Sequence, residues 1–414
     1  MSDTTSKLHL FDAIGVELEY MIVDRDSLDV RPIADRIIES VVGEIASDFE
    51  DGPIAWSNEL ALHVIELKTN GPAADTNELP TLFQANINRV NSLASEFDAQ
   101  LMPTAMHPWM DPHTELQLWP HDYNPVYEAY NRIFDCRGHG WANLQSTHIN
   151  LPFFGDEEFA RLHAAIRLIL PLIPAIAASS PVADGRLTGF VDYRMEVYRK
   201  NSAKIPSITG RVIPEQVYSK ADYEEQIFAR SYRDIAPFDH DKILQQPFLN
   251  SRGAIARFER GAIEIRVVDI QECAAADLAI TELIVAALKL IVNESYVPLD
   301  ELKQLETDAL ADLFLEVIRT GERTSVTNQD ILRALGVANR SASAGEIWAS
   351  IYETANRNDA RTIGVAHRPC IEAILNKGPL ARRICGELGG DTGNLVEIYR
   401  ELCDCLAQGQ MFAT

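Results

Sequence analysis

The stretch AIGVELEYMIVD, residues 13–24, carries two glutamates one residue apart within an apolar run. The run is rich in β-branched and aromatic residues, which predicts a strand. Side chains alternate between the faces of a strand, so Glu17 and Glu19 would stand side by side, opposite the apolar residues. Adjacent carboxylates repel each other unless a cation neutralises them. The stretch therefore predicts either a solvated sheet face or a face that holds cations.

Other segments predict strands with polar residues on one face. With the first strand at 14–23, they lie at about 60–68, at 144–152 and at 262–269. The polar residues that they carry or border are Glu59 and Glu66, His148 and Asn150, and Glu264 and Arg266. Four such strands predict one shared sheet face. Its charged groups would be costly to bury unless metal ions and a charged ligand filled the space.

The relation between Glu59 and Glu66 leaves two alternatives open. They are seven residues apart in WSNELALHVIELKTNGP, so one regular strand would place them on opposite faces. A turn or a bulge between them would return them to the same face. A helix would instead align Glu59, His63 and Glu66. The apolar pair at 64–65 and the NGP stop favour the strand.

Helical patterns separate and follow these strands. Apolar residues recur at three- and four-residue spacing in 77–100 and 159–178, and the chain from 276 onward is almost wholly helical in pattern. The helices predicted in that part are 277–293, 299–320, 328–335, 343–356 and 392–408, the last capped by Asp391 or Thr392. Strands not each followed by one crossover helix predict an α+β fold with an antiparallel or mixed sheet. Without a clear linker we expect a single domain over 1–414, with a sheet-bearing part at 13–270 and a helical C-terminal part at 276–414.

The composition excludes several kinds of partner. The chain has 414 residues, 46% apolar and 24% charged, and a formal net charge of −24. Such an acidic chain repels phosphate backbones and anionic lipid, so we expect no nucleic-acid or membrane partner. MSDTTSKLHLFDA shows no secretory signal pattern and no apolar stretch is long enough to span a bilayer, which predicts a cytoplasmic location. Six scattered cysteines without a CxxC pair predict reduced thiols rather than disulfides or a zinc site.

The oxygen-rich set of side chains suits hard divalent cations. The five glutamates of the predicted face could hold two or three Mg²⁺ ions, with Mn²⁺ as the alternative. Arg266, two residues from Glu264 on the same face, could bind a phosphate through two hydrogen bonds. The sequence has neither a phosphate-binding loop nor a dinucleotide-binding motif. A nucleotide would therefore be held by metal ions and arginines on the sheet.

The stretch 102–125, MPTAMHPWMDPHTELQLWPHDYNP, is long, irregular and rich in Pro, His and Trp. Loops of this length inside compact domains are usually functional, which makes the stretch a candidate lid or binding loop. A surface excursion anchored by its tryptophans is the alternative.

Six segments, in their order along the chain, resemble the glutamate–cysteine ligase family. The resemblance is to its bacterial carboxylate–amine ligase branch, within the glutamine synthetase and guanido kinase superfold. The segments are IGVELEYMIVD, ELALHVIELKT, MHPW, STHINLPF, AASSPVADGRLTGFVDYR and GAIEIRVVD, which cover roughly residues 13–270. The resemblance implies a mainly antiparallel sheet curled into a funnel with helices packed outside. It also implies ATP at one end, metal ions on the floor and the amino-acid substrate at the other end.

The resemblance also implies roles for individual residues. The family's metal-binding positions fall on Glu17, Glu19, Glu59, Glu66, His148 and Glu264. Arg266 and Glu264 would be catalytic, Arg266 and His148 would contact the nucleotide, and Arg194 and Asn150 would contact the amino-acid substrate. Taken alone, Arg194 would be a surface arginine and His148 a core histidine. For His107 of MHPW we expect a packing role in its loop.

The expected function is ATP-dependent carbon–nitrogen ligation, as in glutathione biosynthesis. The γ-carboxylate of glutamate would attack ATP to form an acyl phosphate, and cysteine or another amine would displace phosphate. A guanidino or carboxylate phosphotransferase and a non-catalytic binding protein on the same scaffold are the alternatives. The loop 109–125 and the segment DCRGHGWANLQ lack a clear family equivalent, which leaves the acceptor amine open. Whether the chain forms a homodimer is also open.

Overall fold

An antiparallel sheet of eight strands forms the centre of the fold. The computed structural model describes residues 7–358 and 363–412, so parts of the predicted 1–414 domain and of the 276–414 helical part, and residues 1–6 of the N-terminal segment, lie outside the described residues. The described residues form twelve strands, eight in this sheet and four in the two small sheets β7-β8 and β11-β12. They are β1 (Gly15–Asp24), β2 (Asp48–Asp51), β3 (Ile54–Asn58), β4 (Val64–Thr69), β5 (Ala99–Met102), β6 (Ser146–Pro152), β7 (Val182–Ala183), β8 (Arg186–Leu187), β9 (Ala254–Arg257), β10 (Ala262–Asp269), β11 (Ser325–Val326) and β12 (Ala342–Ser343). The order across the main sheet is β2-β3-β4-β1-β6-β10-β9, and β5 pairs with the last four residues of β1. The predicted α+β class and antiparallel sheet are confirmed.

Helices surround the sheet and make up most of the chain after β10. They are α1 (Ala34–Val42), α2 (Leu79–Ala94), α3 (Pro112–Glu115), α4 (Asn124–Phe134), α5 (His139–Ala142), α6 (Gly155–Ile169), α7 (Pro174–Ala177), α8 (Tyr193–Asn201), α9 (Lys220–Tyr223), α10 (Arg230–Ile235), α11 (Ala274–Val292), α12 (Leu299–Lys303), α13 (Thr307–Thr320), α14 (Gln329–Ala334), α15 (Ala344–Asn358), α16 (Arg368–Lys377), α17 (Leu380–Leu388) and α18 (Leu395–Gln408). The long helix α11 is buried on nearly all sides and contacts α2, α6, α15 and α16. The helical character predicted for the C-terminal part is confirmed.

One face of β1 builds the hydrophobic core. Val16, Leu18, Tyr20 and Ile22 are fully buried and belong to the main apolar cluster, together with side chains of α2, α6 and α11. Burying such a side chain contributes about 1.5–3 kcal/mol. The alternation predicted for 13–24 therefore sets the orientation of the sheet, because the apolar face must meet the helices.

The C-terminal helices cover the other end of the same strand. Met21 and Val23 lie beyond the glutamates and pack in a second apolar cluster with Met102 and with residues of α17 and α18. The buried guanidinium of Arg383 in α17 pairs with the Glu272 carboxylate. The helical part is thus docked on the sheet, and only the Glu17–Glu19 end of this face borders open space.

Several predicted boundaries are wrong. The helix predicted for 77–100 ends at Ala94, and after a 3-10 turn Asp98 takes a left-handed backbone conformation (φ 55°) that leads into β5. The strand predicted from about 60 begins at Val64. The helix predicted for 299–320 is two helices, because the chain leaves α12 at Gln304 and re-enters α13 at Thr307. The last helix begins at Leu395 after Asn394, so neither Asp391 nor Thr392 is its cap.

The predictions from the cysteines and the hydropathy can be compared directly with the structure. All six cysteines are free thiols, and none is exposed. Within residues 7–358 and 363–412, no helix combines the length and the apolar character needed to cross a bilayer.

Candidate active site

Strand register brings the predicted polar residues onto one face. Glu17 lies opposite His148, Glu19 opposite Glu66, and Glu264 opposite Asn150. Directly opposed residues of an antiparallel pair point to the same face. Strands β4, β1, β6 and β10 are consecutive in the sheet, so these six side chains form one continuous polar surface. We call this surface the carboxylate floor, and it includes Glu59, whose ligand atom lies within 4.8 Å of those of Glu19 and Glu66.

The centre of the carboxylate floor is a hydrogen-bonded chain around His148. The Glu17 carboxylate lies 2.9 Å from His148 Nδ1 and accepts a 2.9 Å hydrogen bond from the Asn150 amide. Glu19 accepts two hydrogen bonds from Ser146, whose hydroxyl is also 2.9 Å from His148 Nε2. Burial alone would raise the pKa of Glu17, but the contacts with His148 lower it to about 2. Burial opposes charge on His148, yet Glu19 and Glu17 raise its pKa above the usual value. Without a bound cation the structure thus favours a charged His148–Glu17 pair, and a metal ion bound by His148 would displace the imidazole proton.

Glu59 and Glu66 reach the same side through a turn. Glu59 follows β3, and Glu66 lies in β4 opposite Ser57. The helical alternative for this segment is wrong, because His63 points away and its ring Nε2 lies 2.9 Å from the Ala142 carbonyl oxygen. Burial is the largest cause of the raised pKa of both glutamates. The charge of Glu19 raises the pKa of Glu59 further. The charge of Glu17 likewise raises the pKa of Glu66, which is about 7.

Two groups of ligand atoms on the floor have the composition of a metal centre. One consists of Glu17, Glu66 and His148, and the other of Glu19, Glu59 and Glu66; within each group the ligand atoms lie within 4.8 Å of one another. The two groups share Glu66. Carboxylates whose pKa values are raised by burial and mutual repulsion are stabilised in their charged form by a bound cation. The residues present therefore fit oxygen-preferring divalent ions.

Glu264 stands apart from these groups. One of its oxygens is 2.8 Å from Arg257 Nε and the other 3.0 Å from Arg266 Nε. Burial would raise the pKa of Glu264, but Arg266 and Arg257 lower it. One of its oxygens lies 3.9 Å from Nδ1 of His148, a member of the first metal group. As arranged here, Glu264 orients two arginines, and its metal-binding role stays a prediction.

A bulge aims Arg266 at the floor. The pairing of β10 with β6 shifts between Ile265 and Val268, so two residues of β10 lie opposite one residue of β6. Such a bulge redirects the side chains near it. Arg266 lies beside Glu264 as predicted, and both line open space next to His148.

Arg194 is buried and not on the surface. The alternative of a surface arginine is wrong, because Arg194 is only 1% exposed and its Nε pairs with Asp269, a fully buried carboxylate. Asp269 also accepts hydrogen bonds from Ser179 N and Ser180 Oγ. The Nη2 atom of Arg194 has no hydrogen-bond partner among the described residues. A buried guanidinium nitrogen without a partner is costly, which makes it suited to an anionic ligand.

Two cavities meet at the carboxylate floor. The first, of about 530 Å³, extends past Lys68, Asn70, Arg257 and Arg260. The second, of about 430 Å³, extends the other way past Trp141, Arg194 and Tyr198. Both are lined by Glu59, His148, Arg257 and Arg266. The floor therefore separates two compartments, each large enough for a small ligand.

The first cavity contains basic residues that the sequence did not single out. Lys68 lies 3.0 Å from Glu66 and 2.7 Å from the Ser57 hydroxyl, and Arg257 pairs with Glu264. Arg260 lies in the turn between β9 and β10. Lys68 could have been found, because it is two residues from Glu66 and so shares its face. The short strand β9 carried no such signal.

The stretch 102–125 divides into two unlike parts. Residues 102–108 are buried, and His107 is fixed there by a 2.8 Å contact with the Leu28 carbonyl and by accepting from the backbone N–H of Met110. The packing role expected for His107 is confirmed. Tyr123, at the other end, is 56% exposed and lines the second cavity. A lid function for this stretch stays a prediction, and its first part is too firmly packed to serve as one.

Comparison with solved structures identifies the fold. The glutamate–cysteine ligase of Francisella tularensis, solved in complex with AMP, matches with a TM-score of 0.58 at 12% identity, over 98% of this chain and 90% of its own. A bifunctional glutathione synthetase from Pasteurella multocida matches with a TM-score of 0.52 at 11% identity, over 96% of this chain and 52% of its own. The fold is that of glutamate–cysteine ligases.

Sequence comparison identifies the family. The model of glutamate–cysteine ligase family 2 matches residues 13–401, and the chain belongs to this family. It is therefore an enzyme of the ligase class. An uncharacterized protein of Archaeoglobus fulgidus is 33% identical over 308 residues, 74% of this chain and 80% of its own. A Bradyrhizobium diazoefficiens protein named "Putative glutamate--cysteine ligase 2" is 28% identical over 235 residues, 54% of this chain but only 48% of its own length.

Proposed function

We propose that the protein is an ATP-dependent ligase that joins the γ-carboxylate of glutamate to an amine through an acyl phosphate. One observation carries the proposal: two cavities of different character meet at a single carboxylate floor. A reaction between a nucleotide and an amino acid needs this arrangement, because the γ-phosphate must lie beside the attacking carboxylate. Membership of the ligase family supports the reaction type.

The first cavity is the proposed nucleotide site. Lys68, Arg257, Arg260 and Arg266 line it among five glutamates, so these cations together with metal ions held by the glutamates would offset the charge that otherwise opposes a triphosphate. Gly15 lines the same cavity. A Cβ at this position would make a tight contact of 3.1 Å with Asn150 Cβ, so a glycine fits here better than a larger residue. The AMP seen in the Francisella tularensis ligase is consistent with a nucleotide in this fold.

The proposed reaction proceeds in two displacements. A carboxylate oxygen of glutamate attacks the γ-phosphorus of ATP, the bond to the bridging oxygen breaks, and ADP leaves. The amine then attacks the acyl carbon, and phosphate and a proton leave as the amide forms. Mg²⁺ or Mn²⁺ held by Glu17, Glu19, Glu59, Glu66 and His148 would supply positive charge to the phosphates. Arg266, which Glu264 holds in position, would stabilise the charge on the transferred phosphoryl group.

The second cavity is the proposed amino-acid site. The unpartnered Nη2 of Arg194 suits a substrate carboxylate, and its pairing with Asp269 fixes the direction of the guanidinium. The Tyr198 hydroxyl, one helical turn further along α8, is also buried without a partner among the described residues. Asn150, bonded to Glu17 on the first-cavity side, is the less direct candidate for substrate contact.

The test is a phosphate-release assay with ATP and Mg²⁺ in which carboxylate donors are screened against amine acceptors. We expect ADP, phosphate and an amide of the donor, identified by mass, with glutamate and cysteine as the first pair. A stable phosphorylated donor formed without any amine would instead indicate a phosphotransferase. If no donor and acceptor pair releases phosphate, the proposed function is wrong.

A further inference from the structure

The second cavity has two chemically different walls. One wall is polar and belongs to α8, with Arg194 and Tyr198 facing the cavity. The other wall is aromatic and comes from α4 and from α5, which packs directly against α8; it consists of Tyr127, Tyr130 and Trp141. Phe248 and Tyr123, 36% and 56% exposed, continue the aromatic wall towards solvent.

Trp141 is fixed in this wall by contacts on several sides. Its indole N–H donates to the Asn201 carbonyl at 3.2 Å, and the Asn201 amide donates back to the Gly140 carbonyl at 3.2 Å. A Cβ on Gly140 would lie only 2.9 Å from the Val197 carbonyl oxygen, so glycine is needed for this close approach to α8. The indole also stacks on Phe134, with ring centroids 5.6 Å apart. Trp141 is therefore a preorganised surface.

Most of the hydrogen-bonding groups of the aromatic wall are already engaged. The Tyr127 hydroxyl accepts from the Asn58 amide at 3.1 Å, and the Tyr130 hydroxyl donates to the Phe248 carbonyl at 3.4 Å. The indole N–H is used as well. What this wall offers a ligand is chiefly ring surface, which favours flat or apolar groups.

We propose that the acceptor amine carries an aromatic or extended apolar group that packs against Tyr127, Tyr130 and Trp141. The proposal rests on the proposed function and names the class of its second substrate. The wall adjoins the floor where the acyl phosphate would form, because Glu59, His148 and Arg266 line the same cavity. A small polar acceptor such as cysteine would leave these rings in contact with water, whereas a ring or long alkyl group would cover them.

Two separate segments of the chain contribute to this cavity. Trp141 and Leu144 belong to the segment DCRGHGWANLQ, and Tyr123 belongs to the loop 109–125. The proposed acceptor specificity therefore depends on both segments.

The experiment uses pairs of amines that differ only by a ring. Binding of 2-phenylethylamine and ethylamine, and of L-phenylalanine and L-alanine, is measured by calorimetry with L-glutamate and a non-hydrolysable ATP analogue present. We expect the ring-bearing member of each pair to bind at least about tenfold more tightly. Equal affinity within both pairs, or no binding by any of the four amines, would overturn the proposal.

Two variants locate the effect. Trp141→Ala should reduce the preference for the ring to less than about threefold. Phe134→Leu is the matched control, because Phe134 supports the indole from behind but does not line the cavity; its preference should stay close to that of the unmodified protein. An unchanged preference in Trp141→Ala would contradict the assignment to this wall.

Parallel phosphate-release assays separate this inference from the proposed function. Ring-dependent binding without phosphate release from any pair would refute the ligase reaction but keep the aromatic site. Phosphate release that is fastest with cysteine, together with equal binding within each pair, would keep the ligase and refute the aromatic acceptor.

Discussion

The two faces of β1 are both largely buried, yet they are stabilised in opposite ways. Leu18 is fully buried among helices, where the hydrophobic effect favours the folded chain. Glu17 and Glu19, one residue to either side, are largely buried next to other carboxylates and one histidine. Glu17 lines the first cavity and Glu19 lines the second. The first face is complete without a ligand. The second adjoins Glu59 and Glu66, whose pKa values are raised by burial and by neighbouring carboxylates, and this is the repulsion that the proposed cations would relieve.

The largest effect is expected from a substitution that disrupts only the polar face of β1. Glu17→Gln removes a charge shared by the first metal group and the His148 pair, and we expect ATP-dependent phosphate release to fall at least about a thousandfold, or about 4 kcal/mol. Glu50→Gln is the control, because Glu50 lines the same cavity but is exposed. Turnover close to that of the unmodified protein in Glu17→Gln would contradict the assignment of the floor.

The next largest effect, on stability, is expected from a substitution that disrupts only the apolar face of β1. Leu18→Ala leaves a cavity in the core and should lower the free energy of unfolding by about 3 kcal/mol, measured by denaturant titration. Activity per folded molecule should change little, because the Leu18 side chain points away from the floor. Ile45→Ala, at a 57% exposed position, should change stability by less than about 0.5 kcal/mol. A loss of activity in Leu18→Ala without a loss of stability would show that the two faces are not independent.

The smallest expected effect is the change in stability with pH that arises from Glu66 on the polar side of the sheet. Burial and Glu17 raise the pKa of Glu66 from 4.5 to about 7, so in this window the folded chain binds more protons than the unfolded chain. Stability of the metal-free protein should therefore fall as the pH rises from about 4.5 to about 7. Glu66→Gln should remove this contribution and raise the free energy of unfolding at pH 8 by about 2 kcal/mol.

That prediction is checked by unfolding both proteins at pH 5 and pH 8 in the presence of EDTA. An identical pH dependence for the unmodified protein and for Glu66→Gln would contradict it. Glu17 contributes with the opposite sign, because its lowered pKa of about 2 adds stability that is lost only as the pH falls from about 4.5 towards 2.

The sequence was sufficient to predict the fold class and the residues of one face. Alternation in β1 is a local property, so Glu17 and Glu19 could be placed on one side and Leu18 on the other. The same reasoning placed His148 with Asn150 and Glu264 with Arg266 on one face. In the structure His148 and Asn150 both contact Glu17, and Arg266 lies 3.0 Å from Glu264.

Features that depend on tertiary context could not be predicted. Strand β5 continues the apolar spacing of α2 and becomes a strand only because it pairs with β1. The burial of Arg194 depends on Asp269, 75 residues further along the chain. Likewise, Arg257 reaches Glu264 only through the pairing of β9 with β10, which no local pattern announced.

The central claim is that the carboxylate floor and the first cavity bind a nucleotide together with divalent metal. The direct measurement is calorimetry of ATP binding in Mg²⁺ and in EDTA, on the unmodified protein and on Glu17→Gln. We predict one ATP bound per chain in Mg²⁺ and an affinity at least about tenfold weaker in EDTA or in the variant. ATP affinity that is the same with and without Mg²⁺, or no ATP binding under either condition, would contradict the account.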